Sequence, residues 1–553
     1  MTTFPSYVCG SKDVPLLDET IGEFLDRIAV QFDDAPALIS PSQGLRWSYK
    51  EFRSATDRIA SGLSLIGLVK GDRIGIWSAN RAEWILTQFA AARLGLILVT
   101  VNPAYRVHEA EHALKLAGCK AVVAQNSYKK SNYHAILLEL TRGANGNRLT
   151  ELKHVISLDE TTVPGWLNWA DLERLGATAV ADRNIRPFPQ THCDEAINIQ
   201  FTSGTTGAPK GATLSHRNIL NNGYFVGETL RLTRRDRLCL CVPLYHCFGL
   251  VMGVIGAFTH GACVVLAGEG FDPAVTLDTT SQEQCTVLYG VPAMFVSLLE
   301  EQSRSARNTA SLRTGIMAGA PCPETVMRGV MNVLGMPEVT IAYGMTETSP
   351  VSFQSQIDDS VAFRVATVGR VHPHVEVKVV DSAGQVVSRG LPGELLTRGY
   401  SVMLGYWNDP QRTLEAIDRD GWMHTGDLAT LDDEGYCRIV GRLKDMLIRG
   451  GENIYPREIE ELLFNHQDIA EVQVFGVPDP RYGEEVCAWI RLKPDHTATA
   501  ESLREWCRDR ISHYKVPRYI EFVETFPTTI SGKAQKHLMR EAMARRMGQS
   551  EQT

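Results

Sequence analysis

Ile197-Asn-Ile-Gln-Phe201 runs directly into Thr202-Ser203-Gly204-Thr205-Thr206-Gly207-Ala208-Pro209-Lys210-Gly211, and the rest of the chain is read from this junction. The first part has the branched, apolar composition of a buried strand. The second part consists of hydroxyls and glycines with one lysine, and it cannot pack as core. Gly204 and Gly207 let backbone N–H groups turn toward an anion, Thr202, Ser203, Thr205 and Thr206 add hydroxyl donors, and Lys210 supplies a cation. Polyphosphate is the ligand class that suits this composition. The segment is not a Walker A loop, because Pro209 stands where the second Gly would precede the Lys, and Lys210 is followed by Gly211 rather than Ser or Thr. Gly211 to Leu214 reads as a further strand instead of a helix.

Upstream of this loop, Ser48 and Glu51 form a capping-box pattern ahead of Phe52, Ala55, Ile59 and Leu63, whose spacing lines one helical face. An apolar run, Arg73 to Trp77, is followed by a helical stretch, Arg81 to Leu94, and a second run, Leu96 to Val101, closed by Asn102-Pro103. Downstream, branched runs recur at Leu238 to Val242, Ala262 to Leu266, Thr286 to Tyr289 and Val339 to Tyr343. This alternation predicts an α/β protein of stacked layers with largely buried sheets. After about Gly441 a charged, glycine-containing segment leads into a helical run, Arg457 to Phe464, and a domain boundary is expected there. The last hundred or so residues read as a small α+β unit. Its strands are expected near Val472 to Phe475, Val486 to Ile490 and Ile520 to Val523, and its helices near Ala500 to Ile511 and Ala534 to Arg546.

A chain of 553 residues exceeds what one core usually organises, and its 44% hydrophobic content can fill several. The net charge of -8 comes from mixed acids and bases, which leaves no basic stripe for nucleic acid and no polybasic membrane patch. The longest apolar stretch, Gly249 to Phe258, is about half of the roughly 20 residues a membrane-spanning helix needs. The N-terminal residues lack a basic region followed by an apolar run, so cytoplasm is the expected compartment. The 12 cysteines are scattered singly in apolar surroundings and read as reduced, structural thiols.

The loop and the motifs after it resemble the adenylate-forming superfamily of acyl-CoA synthetases, firefly-type luciferases and nonribosomal-peptide adenylation domains. Those motifs are Tyr343-Gly344-Met345-Thr346-Glu347, Gly393-Glu394-Leu395, Thr425-Gly426-Asp427, Gly441-Arg442, Gly450-Gly451-Glu452-Asn453-Ile454-Tyr455-Pro456 and Ser531-Gly532-Lys533, in the family's order. The resemblance covers nearly the whole chain and is strongest to medium- or long-chain fatty acyl-CoA synthetases. It implies a large, multi-lobed N-terminal AMP-binding domain, residues 1–441, and a small mobile C-terminal lid, residues 442–553, hinged near Lys444.

The resemblance also assigns roles, each with a physical reason. Adenylation brings an anionic carboxylate against the α-phosphate of ATP, so repulsion must be neutralised. Lys533 matches the lysine that bridges carboxylate and phosphate oxygens. Glu347 with Thr202 matches the magnesium site, where a hard cation takes oxygen ligands. Asp427 matches the acid that accepts both ribose hydroxyls, and Arg442 adds a ribose or phosphate contact. Tyr343 is expected against adenine, with Gly319, Ala320 and Pro321 on its other face. For the second step the lid is expected to rotate and present Gly450, Gly451 and Glu452 to the pantetheine arm of coenzyme A. A homodimer is compatible with this reading.

His246, in Pro243-Leu-Tyr-His246, corresponds to the family's gate near the substrate carboxylate. Relatives that activate amino acids carry an aspartate in this stretch, and none is present here to pair with a buried ammonium. Gly344 stands where acetate-specific relatives carry tryptophan. A deeper tunnel lined by Phe248, Val251, Tyr289, Val291 and Met345 is therefore expected, with Gly344→Trp expected to fill its mouth. The sequence reading is a fatty acid–CoA ligase for a medium or longer chain. Arylacid or coumarate-type CoA ligases share these motifs, and an acyl-AMP ligase serving a carrier protein is a further alternative.

Overall fold

The computed structural model describes residues 4–144, 146–181, 188–202, 209–449, 452–508, 510–528 and 534–550. The chain divides into two compact units. One comprises Val8–Val377 and Thr397–Met423, and the other Met1–Tyr7, Lys378–Leu396 and His424–Thr553.

The larger unit contains two mainly parallel sheets. One has eight strands in the order Leu167–Asn168, His154–Ser157, Cys119–Ala124, Arg73–Trp77, Ile97–Thr100, Ala196–Thr202, Lys210–Ser215 and Gly405–Tyr406. The other has nine, with Glu338–Gly344, Thr314–Ala318, Val287–Gly290, Arg237–Leu240 and Cys263–Leu266 adjacent in that order. The central strands are parallel and buried, which is why they read as near-continuous Val/Ile/Leu runs. The expected α/β class is therefore observed.

Helix Tyr49–Leu65 starts where the capping box placed it: Glu51 N donates to Ser48 Oγ at 3.3 Å, and Ser48 N donates to the Glu51 carboxylate at 2.8 Å. Every residue of helix Ala82–Leu94 except Glu83 is buried, so it is a core helix with no solvent face. Phe52 joins these helices by meeting Phe89 and Phe258 edge-on, each at 5.2 Å between ring centroids. Such pairs add about 0.5–1.5 kcal/mol beyond their buried area.

The apolar stretch that the sequence left without an element forms a π-helix, Phe248–Ile255, all eight residues of which are buried. π-helices are rare and recur at functional sites. In the smaller unit a five-stranded sheet pairs Ile469–Asp479 with Gly483–Leu492 and adds Tyr519–Phe522, Leu447–Arg449 and Glu452–Ile454. Helices Pro456–Phe464, Ala500–Arg508 and Lys536–Ser550 accompany it. The cysteines are free thiols, and all but Cys9 and Cys322 are buried. Among the described residues no helix is long and apolar enough to cross a membrane.

Candidate active site

Thr202 ends one strand of the eight-stranded sheet and Lys210 begins the next, the two facing each other in antiparallel register. Ser203, Gly204, Thr205, Thr206 and Gly207, between them, lie outside the described residues. Thr202 Oγ1 donates to Glu347 Oε1 at 3.3 Å. Glu347 sits in the 3₁₀ turn Thr346–Thr348 after strand Glu338–Gly344, and it is 6% exposed. The hydroxyl of Tyr406 donates to the same Oε1 at 2.9 Å. Burial, and then the Glu347 carboxylate, push the Tyr406 phenol far above its ordinary range, so it stays a donor. The Lys210 ammonium lies 4.7 Å from the centroid of the Tyr406 ring. Beside it opens a cavity of about 120 Å³ lined by Lys210, Tyr406, Trp407, His112 and Arg412.

The backbone around Glu347 is closely held. Met345 N donates to Pro350 O at 3.0 Å, Thr348 Oγ1 donates to the same oxygen at 2.8 Å, and Met403 N donates to Glu347 O at 2.9 Å. Gly344 lies at a register shift between its strand and Val351–Gln354. A Cβ built on Gly344 would lie 1.7 Å from Pro350 O. Here the structure corrects the expectation of a simple pocket-filling Gly344→Trp substitution, because the position excludes any side chain unless backbone moves. Tyr343, one residue earlier, is half-buried, with its ring 6.2 Å from that of Phe353.

Phe248 and Val251 come from the π-helix, Tyr289 from strand Val287–Gly290, and Val291 and Met345 pack at the edge of the same apolar cluster. Phe248 and Tyr289 stack at 5.8 Å. His246 is half-buried at the entrance to that helix, and its Nδ1 accepts from Phe248 N at 3.1 Å. The accepting Nδ1 leaves the proton of the neutral ring on Nε2. Gly319, at φ 88°, and the exposed Ala320 and Pro321 follow strand Thr314–Ala318, with Gly319 facing Val291.

The smaller unit holds a second group. Asp427 and Arg442 are opposite each other in the antiparallel pair Met423–Leu431 and Cys437–Arg442. Asp427 is 8% exposed, and its Oδ1 accepts from Arg442 Nε at 3.1 Å. Thr425 Oγ1 accepts from Asp427 N at 3.1 Å and donates to Leu395 O at 2.7 Å. His424 Nδ1 is 3.0 Å from Glu394 Oε2. Lys444 is exposed in a turn where Arg442 O accepts from Asp445 N and Met446 N. Glu452 opens strand Glu452–Ile454, opposite Arg449. Gly450, Gly451 and Lys533 lie outside the described residues.

One buried carboxylate at the end of a hydroxyl- and lysine-bearing loop, with an apolar cluster behind it, is an arrangement for a nucleotide and a carboxylic acid. The family model for the AMP-binding enzyme matches residues 25–407, and that for the AMP-binding enzyme C-terminal domain matches residues 458–533. The chain belongs to the AMP-binding enzyme family. It is thus a member of the adenylate-forming superfamily, as the motifs implied. The enzyme is 44% identical to the putative acyl-CoA synthetase YngI of Bacillus subtilis, over 95% of this chain and 97% of that protein. It is also 44% identical to the mitochondrial medium-chain acyl-CoA ligase ACSF2 of Danio rerio, over 99% of this chain and 92% of the relative. Among solved structures it resembles the anthranilate CoA ligase AuaEII in complex with anthranoyl-AMP, with a TM-score of 0.85 at 26% identity, covering 97% and 99% of the two chains.

Sequence reasoning missed three of the enzyme's structural participants. Tyr406 reaches Glu347 from 59 residues away, and nothing in Gly405-Tyr406-Trp407 distinguishes it locally from a buried aromatic. Asn222 Nδ2 donates to Val351 O at 2.8 Å while its Oδ1 accepts from Val351 N at 3.0 Å. Asn218, on the same helix, donates to Val402 O at 3.1 Å. The two asparagines tie helix His216–Thr229 to the strand and loop that flank Glu347. Asn218 reads locally as the N3 partner of Ser215 in a capping box, which hides its second contact, and Asn222 is a buried amide in the helix interior, where Asn has little local reason to be.

Proposed function

We propose that the enzyme is an ATP-dependent fatty acyl-CoA ligase acting on medium or longer chains. The observation that carries this reading is the buried Glu347 carboxylate, held against Thr202 at the start of the phosphate-type loop and, through Tyr406, next to an apolar cluster. In the first step an oxygen of the substrate carboxylate attacks the α-phosphorus of ATP, the bond from that phosphorus to the bridging oxygen breaks, and pyrophosphate leaves. In the second step the sulfur of coenzyme A attacks the acyl carbon and AMP departs with the electron pair of the cleaved C–O bond, the thiol proton being released to solvent. The anthranoyl-AMP held by AuaEII supports the adenylate as the shared intermediate.

Glu347 and Thr202 offer a carboxylate and a hydroxyl, hard oxygen donors that fit Mg²⁺. When bound, the ion neutralises charge on the polyphosphate. Lys210 adds a cation to the phosphate side. Asp427, with Arg442 across the strand pair, takes the ribose hydroxyls, and Tyr343 with Gly319, Ala320 and Pro321 takes the adenine. His246, carrying its proton on Nε2, serves the carboxylate end of the acid. Lys533 supplies the bridging cation for adenylation, and Gly450, Gly451 and Glu452 serve coenzyme A once residues 442–553 turn about Lys444. Cytoplasm is the proposed compartment. The medium-chain preference rests on the extended apolar cluster and is in line with the name of the Danio rerio relative.

The test is a screen of ATP- and CoA-dependent pyrophosphate release across acids from acetate to palmitate, with benzoate and cinnamate included. Turnover is expected to peak among saturated acids of medium length. A peak at benzoate or cinnamate would place the enzyme with arylacid ligases, and adenylation without transfer to CoA would overturn the acceptor.

A further inference from the structure

Tyr406 stands between two charges of opposite sign. Its hydroxyl donates to Glu347 Oε1 at 2.9 Å, and its ring carries the Lys210 ammonium at 4.7 Å from the centroid. The residue belongs to the short strand Gly405–Tyr406, the outermost of the eight-stranded sheet, whereas Glu347 follows a strand of the nine-stranded sheet. Three contacts fix the strand. Tyr406 N donates to Thr413 Oγ1 at 2.9 Å, Trp407 N donates to Gly211 O at 2.7 Å, and Leu404 N donates to Thr213 O at 2.9 Å. The phenol is thus held on a hydrogen-bonded edge strand and is 8% exposed.

A lysine and a glutamate that meet the same tyrosine carry opposite charges that could pair with each other. That pair would cancel the two charges that a metal–polyphosphate complex needs. Among the described residues Lys210 has no carboxylate within 4.0 Å, and Glu347 has no cationic partner. Both are instead committed to Tyr406, through an aromatic face that attracts a cation and a hydroxyl that donates to a carboxylate. Tyr406 and Thr202 both donate to Oε1, which leaves Oε2 as the oxygen of Glu347 turned to other partners.

We propose that Tyr406 is a positioning residue for adenylation: it holds Glu347 and Lys210 apart and orients the carboxylate so that Oε2 faces the metal ion of the metal–nucleotide complex. This rests on the assignment of Glu347 to the metal site made above. Partners that orient a metal-binding group through a hydrogen bond are worth about 10–100-fold in metal affinity, and Tyr406 is expected to fall near the lower end.

The experiment measures Mn²⁺ binding to the full-length enzyme complexed with α,β-methylene ATP by electron paramagnetic resonance of free Mn²⁺, in wild type, Glu347→Gln, Tyr406→Phe and Tyr406→Leu. Apparent KM values for Mg²⁺ and for ATP at saturating Mg²⁺ are measured in parallel, and thermal midpoints check folding. Tyr406→Phe keeps the ring beneath Lys210 and removes only the hydroxyl, so Mn²⁺ should bind about tenfold more weakly while the KM for ATP at saturating Mg²⁺ stays within twofold. Tyr406→Leu removes both contacts, so the KM for ATP should rise as well. Unchanged Mn²⁺ affinity in a folded Tyr406→Phe, with Glu347→Gln impaired, would overturn the role of Tyr406 alone. Unchanged affinity in Glu347→Gln would instead overturn the metal-site assignment beneath it. A Tyr406→Phe protein whose metal affinity fell while its KM for ATP rose in step would show a general loss of site structure and also overturn the proposal.

Discussion

The carbonyl oxygen of Pro350 occupies the space that a side chain on Gly344 would need, 1.7 Å from where its Cβ would stand. That oxygen also accepts from Met345 N and Thr348 Oγ1, so it cannot retreat without undoing the turn that presents Glu347. Gly344→Ala is therefore expected to destabilise the enzyme by about 1–3 kcal/mol, the usual range for overpacking. It should also lower kcat/KM for acetate and octanoate by similar factors, because the damage reaches Glu347, which serves both acids alike. Denaturant midpoints and the two specificity constants test this. A stable Gly344→Ala enzyme, or one that switches chain-length preference, would show that the backbone there yields more easily than its hydrogen bonds imply.

Lys533→Ala separates the two half-reactions. Removing one preorganised electrostatic contact typically costs about 10² to 10³ in rate, and that loss is expected in acyl-adenylate formation. Conversion of supplied acyl-AMP to acyl-CoA should persist near the wild-type rate, since no charge repulsion between substrate and ATP remains to be overcome. Pyrophosphate exchange reports the first step and thioester formation the second. Equal losses in both steps of a folded variant would remove Lys533 from its assigned place.

His216 and His372 make the larger unit sensitive to acid. The Nδ1 of His216 accepts from Ile21 N at 3.1 Å, and burial pushes its pKa down to about 4, against smaller opposing effects of Glu195 and Glu23. Burial pushes His372, whose Nε2 lies 3.0 Å from Gln354 Oε1, down to about 3. Both groups titrate lower in the folded than in the unfolded chain, where histidine sits near 6.5. Their contribution to stability is thus complete above pH 6.5 and is lost as pH falls toward 4 for His216 and 3 for His372. For His216 alone the loss is on the order of 3 kcal/mol. His216→Gln retains an acceptor for Ile21 N and carries no titrating group. Its unfolding midpoint should fall less between pH 7 and pH 4.5 than that of wild type, and parallel pH profiles would refute this account.

These residues also mark what could be read without coordinates. Strand Arg73–Trp77 and the helix start at Ser48 were legible to the residue, because alternating buried runs and a capping box are local patterns. Thr202 and Glu347 were legible as partners only through family motifs, since 145 residues separate them. Tyr406, His216 and the Pro350 carbonyl were not legible. Each acts through a contact set by strand order or by the path of a turn, and a buried tyrosine, a helix-start histidine and a prolyl carbonyl carry no local mark of such a contact. The π-helix Phe248–Ile255 was hidden for a related reason: its uniform apolarity has no period from which a helix type can be read.

Chain-length selection is expected to rest on the apolar cluster around Phe248, Val251, Tyr289, Val291 and Met345. Each buried methylene contributes about 0.8 kcal/mol, so the six that distinguish octanoate from acetate supply roughly 5 kcal/mol, or between about 10³ and 10⁴ in kcat/KM. Octanoate is expected to be preferred by that margin. Gly344 cannot be used to shorten the pocket, for the steric reason given above, and Val291 is the better position. It is half-buried, it precedes helix Pro292–Arg304 as an extended residue at φ -85°, and its Cγ1 would stand 3.3 Å from a Cβ on Gly319. Val291→Phe adds a ring on the side of the cluster that is not fully enclosed, so the protein should fold while the space for the distal acyl carbons shrinks. The optimum is expected to move to shorter acids, with kcat/KM for octanoate falling at least tenfold more than that for butyrate. Specificity constants for acids of two to twelve carbons decide the matter: a wild-type enzyme that prefers acetate, or a folded Val291→Phe enzyme with the wild-type profile, would remove this cluster from the acyl site.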